Sequence, residues 1–221
     1  MINAMVLAAG ESKRMGMPKP LLRFPCGMGI LPMDFGARAG CPCPGSGDTT
    51  FLERIVSVLR DTEVDRIAVV LGSQAQRIQA ATDLSGSDVV INEHYQEGQL
   101  SSLIVGIKSL PPETEAILLC LVDNPFFTAR TVDGLIGTFR LTGRPIVVPA
   151  YEGRRGHPTL FARSVFQELL NAPADQGAGH VVRSDPDRVF EVQVSDPGIL
   201  VRLDTPADYL SHFGVAPQII E

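Results

Sequence analysis

The chain has 221 residues, of which 44% are hydrophobic and 20% are charged. This size and composition allow a single α/β domain, residues 1–221, with a sizeable core. The formal net charge of −6 is spread along the chain without a basic stripe, which argues against a nucleic-acid partner. The apolar segment 1–9 is far too short to span a bilayer, so we expect a soluble protein with no membrane association.

Four cysteines are too few to make a disulfide framework in a chain this large. We therefore expect the protein to reside in the reducing cytoplasm. Three of the cysteines lie between Cys26 and Cys43, and the fourth is Cys120. The C-x-C pair with a third cysteine leaves zinc binding as an alternative, although structural zinc sites usually have four ligands. Residues 25–48 are dense in Gly, Pro and Cys and show neither a helical nor a strand period. We therefore predict an inserted surface loop there.

Apolar runs rich in Val, Ile and Leu predict buried parallel strands at 4–8, 67–71, 89–91, 116–122 and 146–148. The intervening segments have helical spacing. Two of them carry capping-box patterns, Thr50 with Glu53 and Ser73 with Gln76. Alternating strands and helices predict a Rossmann-like three-layer α/β/α fold with a mostly parallel sheet. Ligands should bind at the carboxyl ends of the strands.

The segment MVLAAGESKRMGMPKPLL leads from the first strand into small residues at 8–10, whose exposed amides can hold phosphate oxygens. Lys13, Arg14 and Lys19 follow and supply the positive charge that a triphosphate requires. A Walker loop is excluded because there is no Gly-Lys-Ser/Thr triplet. The dinucleotide fingerprint G-x-G-x-x-G is also absent at the strand end. The segment therefore predicts a different phosphate-binding loop.

Two aspartates are candidate metal ligands. Asp123 ends the run AILLCLVDNP at the edge of the sheet, and Asp204 lies in RLDTPADY near the C-terminus. Mg²⁺ prefers one or two carboxylates together with substrate phosphate oxygens, so the two aspartates suit a shared ion. The structural alternatives are a plain turn residue for Asp123 and a helix cap for Asp204, with Pro206 at the first helical position.

The stretch LAAGESKRMGMPK resembles the signature of the MobA-like NTP transferases, closest to the molybdenum cofactor cytidylyltransferase (MocA-like) branch. The resemblance extends from residue 4 to 209, interrupted chiefly by 25–48, and implies the nucleotide-diphospho-sugar transferase type of fold. It also implies Mg²⁺-dependent transfer of a nucleoside monophosphate from CTP, GTP or another NTP, with CTP favoured, onto an anionic phosphorylated acceptor. The implied acceptor is molybdopterin, and pyrophosphate is released.

The resemblance also implies site residues. EGQLSSL is similar to the family's EGxxxSL segment and RRGHP to its RGHP motif, although Ser101 and Ser102 could instead cap a helix. His157 is expected to position the acceptor, because a phosphate oxygen needs little deprotonation. The implied catalytic residues are Lys19, Arg14 and Asp123; the metal ligands are Asp123 and Asp204; the nucleotide-binding residues are Leu7, Ala8, Ala9, Gly10, Arg14, Lys19, Gly98, Ser101 and Ser102; and the acceptor-binding residues are Arg155, Gly156 and His157.

The sequence departs from the family pattern at two motifs besides the insertion. The family motif at the segment APADQGAGHVVR usually ends in Gly-Ala-Arg, but here Gly179 and His180 follow Ala178, so the expected arginine is missing. This absence puts acceptor binding at that segment in question. LGSQAQ replaces the Thr-Gly-His-Glu of the cytidylyltransferases, which weakens the preference for CTP.

Other functions remain open at this stage. The acceptor could be a sugar phosphate or phosphocholine instead of molybdopterin. A protein of another class would hold the nucleotide or pterin without turnover and deliver it to a molybdoenzyme or its chaperone. The general α/β architecture also admits a nicotinamide-dependent oxidoreductase, against which the missing dinucleotide fingerprint argues.

Overall fold

The computed structural model describes residues 1–25 and 49–220, so nearly all of the predicted insertion, with its three cysteines and the zinc alternative, lies outside the described residues. The strands are β1 (Ile2–Leu7), β2 (Arg23–Phe24), β3 (Thr49–Thr50), β4 (Arg66–Leu71), β5 (Asp88–Ile91), β6 (Ala116–Leu121), β7 (Ile146–Tyr151), β8 (Arg154–Arg155), β9 (Thr159–Ala162) and β10 (Val189–Gln193). The α-helices are α1 (Phe51–Arg60), α2 (Ala75–Ala81), α3 (Gln99–Ser109), α4 (Ala129–Thr142), α5 (Phe166–Leu170), α6 (Gly177–Ser184) and α7 (Pro206–Phe213). No described helix combines the length and apolarity needed to cross a membrane.

One mixed sheet carries the strand order β10-β7-β9-β6-β1-β4-β5, with β8 beside β7 and a separate antiparallel pair formed by β2 and β3. Parallel pairing joins β6, β1, β4 and β5, and β10 pairs parallel with β7. The predicted mostly parallel sheet is therefore confirmed. The prediction that all five apolar runs are buried parallel strands is wrong in one place, because β5 forms an edge of the sheet and is partly exposed. β7 is buried and pairs parallel with β10, and only β9, which lies between β7 and β6, is antiparallel to both of these neighbours.

Helices cover both faces of the sheet, which confirms the three-layer prediction. Successive side chains of a strand point to opposite faces, and the fully buried β1 contributes Ala4 and Val6 to one core and Met5 and Leu7 to the other. The first core includes residues of α1, α4 and α7. The second core includes residues of α3, α5 and α6.

The two predicted capping boxes differ in outcome. Thr50 caps α1 and exchanges hydrogen bonds with Glu53, as predicted. The box at Ser73 is wrong, because α2 begins at Ala75 and its N-cap is Gln74 in the left-handed conformation, with φ 55° and no side-chain cap.

The register of the central strands brings the candidate segments to one edge. Leu7 at the end of β1 lies opposite Leu121 in β6 and Val70 in β4. Parallel strands that end at the same level place the segments after them side by side. The loop after β1 and Asp123 after β6 therefore emerge next to each other.

Candidate active site

A buried lysine joins the two predicted aspartates. Lys19 lies in a short 3₁₀ turn, Lys19–Leu21, and is 8% exposed. Its Nζ is 2.7 Å from Asp204 Oδ1 and 3.4 Å from Asp123 Oδ2. Three residues that are remote in the sequence thus form one cluster at the carboxyl edge of the sheet.

Backbone hydrogen bonds carry the C-terminal segment to Asp123. The amide of Leu203 donates to the carbonyl of Asp123 at 2.9 Å, and Asn124 Nδ2 donates to the carbonyl of Val201 at 2.9 Å. Asp204 follows directly. The helix-cap alternative for Asp204 is wrong, because Thr205 is the N-cap of α7 and forms a capping box with Asp208. The Asp204 carboxylate is therefore free to face Lys19.

Asp196 fixes the same segment further upstream. This buried carboxylate accepts hydrogen bonds from the Thr128 amide and hydroxyl at 3.0 Å, from Thr131 Oγ1 at 2.6 Å and from the Gly198 amide at 3.1 Å. A Cβ at Gly198 would come within 2.4 Å of the Phe126 carbonyl oxygen. Only glycine allows this approach, so the segment before Asp204 is held tightly on the end of the sheet.

Two arginines complete the charge cluster. Arg202 Nε lies 3.1 Å from Asp123 Oδ2 and 3.0 Å from Asp204 Oδ2, and Arg14 Nη2 lies 3.0 Å from Asp204 Oδ1. Burial acts to raise the pKa of Asp204, but the hydrogen bond and charge of Lys19, with the charges of Arg202 and Arg14, lower it overall. Asp204 is therefore ionised at neutral pH.

The loop after β1 presents unpaired amides to this cluster. The Ala8 amide donates to the Val70 carbonyl, and the Ala9 carbonyl accepts from the Ser73 amide. Within 1–25 and 49–220, the amides of Ala9, Gly10 and Glu11 donate to no protein acceptor. Amides of this kind bind phosphate oxygens readily.

The loop is also tied to the buried lysine. Ser12 adopts φ 54°, and its Oγ accepts a hydrogen bond from the Lys19 backbone amide at 3.1 Å. This contact holds Lys19 close to the loop that carries the unpaired amides, and both the loop and Lys19 line the same cleft.

The start of α3 forms the third wall. Gly98 is its N-cap, with φ 102° and no side-chain cap, so the alternative that Ser101 or Ser102 caps the helix is wrong. Asn92 Nδ2 instead donates to the hydroxyls of both serines, at 2.9 and 3.0 Å. The first turn of a helix favours anions, and here it borders the cation cluster.

These segments enclose a cleft of about 390 Å³. Among the predicted site residues, the cleft is lined by Leu7, Ala9, Gly10, Arg14, Lys19, Gly98, Ser102, Asp123 and Asp204. Ala8 and Ser101 lie beside it, engaged in the hydrogen bonds given above. The arrangement therefore brings anion-binding groups and two carboxylates together in one cleft.

The RGHP segment lies against the Asp196–Asp204 segment. His157 donates its backbone N–H to the Ile199 carbonyl at 3.0 Å, and a Cβ at Gly156 would come within 2.4 Å of that carbonyl oxygen. Burial lowers the pKa of His157; the nearby charge of Asp123 acts to raise it and that of Arg202 to lower it. The His157 side chain does not line the cleft, although its backbone is bonded to the segment that leads to Arg202 and Asp204. Arg155 pairs with Glu191 at 2.7 Å.

The donor set suits a divalent ion completed by substrate. Among the described residues, no group of three or more His, Cys, Asp or Glu side chains could hold a metal on its own. The Oδ2 atoms of Asp123 and Asp204 nevertheless converge on a single cation, the Nε of Arg202. Two carboxylates with open positions for phosphate oxygens fit Mg²⁺.

The sequence analysis did not identify several residues of this site. Arg202 lies two positions before Asp204, and an arginine so close to a candidate metal ligand was a usable signal. Asp196 and Tyr95 gave none, because their roles depend on contacts between distant segments, and Ser12 gave none, because its bond to the Lys19 amide depends on how the loop after β1 folds. Tyr95 lines the cleft and packs over Gly72, where an added Cβ would lie 2.6 Å from the Tyr95 Cβ.

The chain is similar to one protein family and to several individual proteins. The model of the MobA-like NTP transferase domain matches residues 4–189. Nicotine blue oxidoreductase of Paenarthrobacter nicotinovorans is 27% identical over 213 residues, covering 92% of each chain. The crystal structure of Rv0371c from Mycobacterium tuberculosis is 31% identical, with a TM-score of 0.79 and 97% of each chain covered. A manganese complex of Rv0371c is also similar, at 28% identity and a TM-score of 0.73, covering 97% of this chain and 98% of that one.

Proposed function

We propose that this chain, which belongs to the MobA-like NTP transferase family, transfers a nucleoside monophosphate from an NTP to a phosphorylated small-molecule acceptor in a Mg²⁺-dependent reaction. Nucleotidyl transfer itself follows from the family. CTP as donor and molybdopterin as acceptor are the finer parts of the proposal, and they rest on the sequence signature after β1.

The observation that carries the proposal is the convergence of Lys19, Asp123 and Asp204 in the same cleft as the unpaired amides of the β1 loop. In-line transfer requires that an acceptor oxygen attacks the α-phosphorus while the bond to the β-phosphate oxygen breaks. Pyrophosphate leaves with that electron pair. Catalysis of this kind depends mainly on positioning and charge neutralisation.

The described side chains divide these tasks. The amides of Ala9, Gly10 and Glu11 would bind phosphate oxygens of the nucleotide. Lys19, held rigidly by burial and by two carboxylates, would neutralise charge that develops on the transferred group. Arg14, which is 66% exposed, would reach the outer phosphates.

Asp123 and Asp204 would hold the divalent ion. When bound, Mg²⁺ polarises phosphoryl oxygens and neutralises their charge. The manganese complex of Rv0371c supports a divalent cation in a similar protein. The convergence of the two Oδ2 atoms supports these carboxylates as its ligands here.

The acceptor would lie on the side of the RGHP segment, positioned by Gly156 and His157. A neutral imidazole follows from the lowered pKa of His157, and it suits a positioning residue that donates or accepts one hydrogen bond. Arg155 would have to leave Glu191 to bind an anion. Sugar phosphates and phosphocholine are alternative acceptors, and a maturation factor that delivers the nucleotide or pterin without turnover is the non-catalytic alternative.

A second candidate function comes from the similarity to nicotine blue oxidoreductase, whose name denotes redox chemistry. In that case the cleft would hold a nicotinamide cofactor, and its phosphates would use the same amides and cations. Oxidation of NADH or NADPH in the presence of nicotine blue, with no pyrophosphate release from any NTP, would favour this function.

The deciding experiment measures pyrophosphate release with Mg²⁺ and each of the four NTPs. Molybdopterin, sugar phosphates and phosphocholine are offered in turn as acceptors. The proposal predicts release that depends on both the NTP and the acceptor, with CTP and molybdopterin the best pair. Nucleotide binding without release for any pair would instead support the delivery protein.

A further inference from the structure

Arg202 places its Nε atom close to both candidate metal ligands and donates its N–H to Asp123. Its Nε is 3.1 Å from Asp123 Oδ2 and 3.0 Å from Asp204 Oδ2. We propose that Arg202 is a resident counter-cation that occupies the divalent-ion position and must leave before a metal can bind. This inference rests on the proposed function insofar as that function places the metal at Asp123 and Asp204.

The geometry makes the two cations mutually exclusive. Asp123 and Asp204 would hold a divalent ion through carboxylate oxygens, and the Oδ2 atoms of both side chains already contact Arg202. Arg202 Nε lies within hydrogen-bonding or ion-pair distance of the same two oxygens, and its N–H donates to Asp123 Oδ2. Guanidinium and metal cannot share these two oxygens, so Arg202 competes directly with the metal.

The charge balance explains why a cation is resident there. Asp123 and Asp204 are largely buried, with side chains 14% and 18% exposed. Two ionised carboxylates this close repel each other unless cations lie between them. Lys19 is nearest to Asp204 Oδ1, and Arg202 supplies the charge that faces both Oδ2 atoms. The pair is therefore held in position even without metal.

Arg202 is also the cation of the cluster that can move. Its side chain is 53% exposed, compared with 10% for Lys19. Only Nε contacts protein acceptors among the described residues, so both terminal nitrogens remain available to a phosphate group at the cleft. Rotation toward solvent or toward a phosphate costs little burial and opens the position between the carboxylates.

A direct metal titration tests the inference without turnover. The free Mn²⁺ concentration is followed by its EPR signal for the wild type, Arg202→Gln, Arg66→Gln and Asp123→Asn. Arg66 is the matched control. Its side chain is also 53% exposed, and it pairs with Asp88 at 3.7 Å at the opposite edge of the sheet. Thermal unfolding of each variant verifies that it is folded.

Arg202→Gln is expected to bind Mn²⁺ about tenfold more tightly than the wild type, the scale of one charge-assisted hydrogen bond reduced by solvent screening. Arg66→Gln should match the wild type. A simple loss of structure would weaken Mn²⁺ binding, so tighter Mn²⁺ binding by Arg202→Gln is specific to competition between Arg202 and the metal. Equal or weaker binding by Arg202→Gln, with binding lost in Asp123→Asn, would overturn the inference and leave the metal site intact. Asp123→Asn binding like the wild type, or no binding by any variant, would overturn the metal site itself.

Discussion

Lys19 Nζ lies 2.7 Å from Asp204 Oδ1, although the two residues are 185 positions apart in the chain. The contact joins an N-terminal and a C-terminal segment of the chain at the candidate site. Ser12 fixes Lys19 from the loop after β1, and Leu203 fixes Asp204 through its backbone bond to Asp123. A charge held this way costs little reorganisation when a transition state forms.

Replacing Lys19 with Met should therefore impair transfer far more than stability. Loss of a preorganised charge typically lowers kcat by about 100- to 1,000-fold, and we expect that range for Lys19→Met. Steady-state pyrophosphate release measures the effect. Lys108→Met, at an exposed position in the last turn of α3, is the control and should retain the wild-type rate. Similar rates for the two variants would exclude Lys19 from catalysis.

Gly156 should be required for the close packing of the RGHP segment. An added Cβ would lie 2.4 Å from the Ile199 carbonyl oxygen, which is backbone and cannot rotate away. Gly156→Ala is expected to destabilise the fold by about 1–3 kcal/mol, the usual cost of overpacking. Urea denaturation measures this change in the free energy of unfolding.

Gly137 offers the matched control. It lies in α4, and an added Cβ there meets nothing within 4 Å. Gly137→Ala should stabilise the protein by about 0.5–1 kcal/mol through the better helix propensity of alanine. Equal effects of the two substitutions would mean that the packing of Gly156 on Ile199 is not tight.

His157 should make stability depend on pH. Burial lowers its pKa in the folded state below the ordinary value of about 6.5. As the pH falls below that value, the unfolded chain takes up a proton that the folded chain does not. The contribution of neutral His157 is therefore complete above the ordinary pKa and is lost as the solution becomes more acidic.

His157→Asn should flatten the dependence of the unfolding free energy on pH between about pH 7.5 and 5. The slope is the readout, because it does not depend on any pH-independent change in stability that the substitution causes. His212, whose pKa burial also lowers, keeps its own share in the variant. An unchanged slope would show that His157 is protonated equally in the folded and unfolded chains.

Local sequence patterns predicted the layers and the loop after β1, but they did not predict how the C-terminal segment reaches the site. The box of Thr50 and Glu53 is satisfied within one turn, so it could be recognised locally. The box at Ser73 fails because Gln74 takes a left-handed conformation next to the β1 loop. The antiparallel β9 depends on pairing with distant strands, which no periodicity reveals.

Within the site, too, local sequence patterns predict single residues better than contacts between distant segments. Asp123 could be predicted because it directly follows a buried strand. Arg202 was signalled only by its position two residues before Asp204, because its contact with Asp123 arises when the Leu203 amide donates to the Asp123 carbonyl and aligns the two segments.

The carboxylates at this edge of the sheet are proposed to serve nucleotidyl transfer, and the rate of pyrophosphate release by Asp123→Asn tests this role. The assay uses saturating Mg²⁺ and the NTP and acceptor that the wild type turns over, with Asp61→Asn at the exposed end of α1 as control. We predict a loss of at least roughly 100-fold for Asp123→Asn with unchanged unfolding, and none for the control. A folded Asp123→Asn that releases pyrophosphate at the wild-type rate would contradict the account.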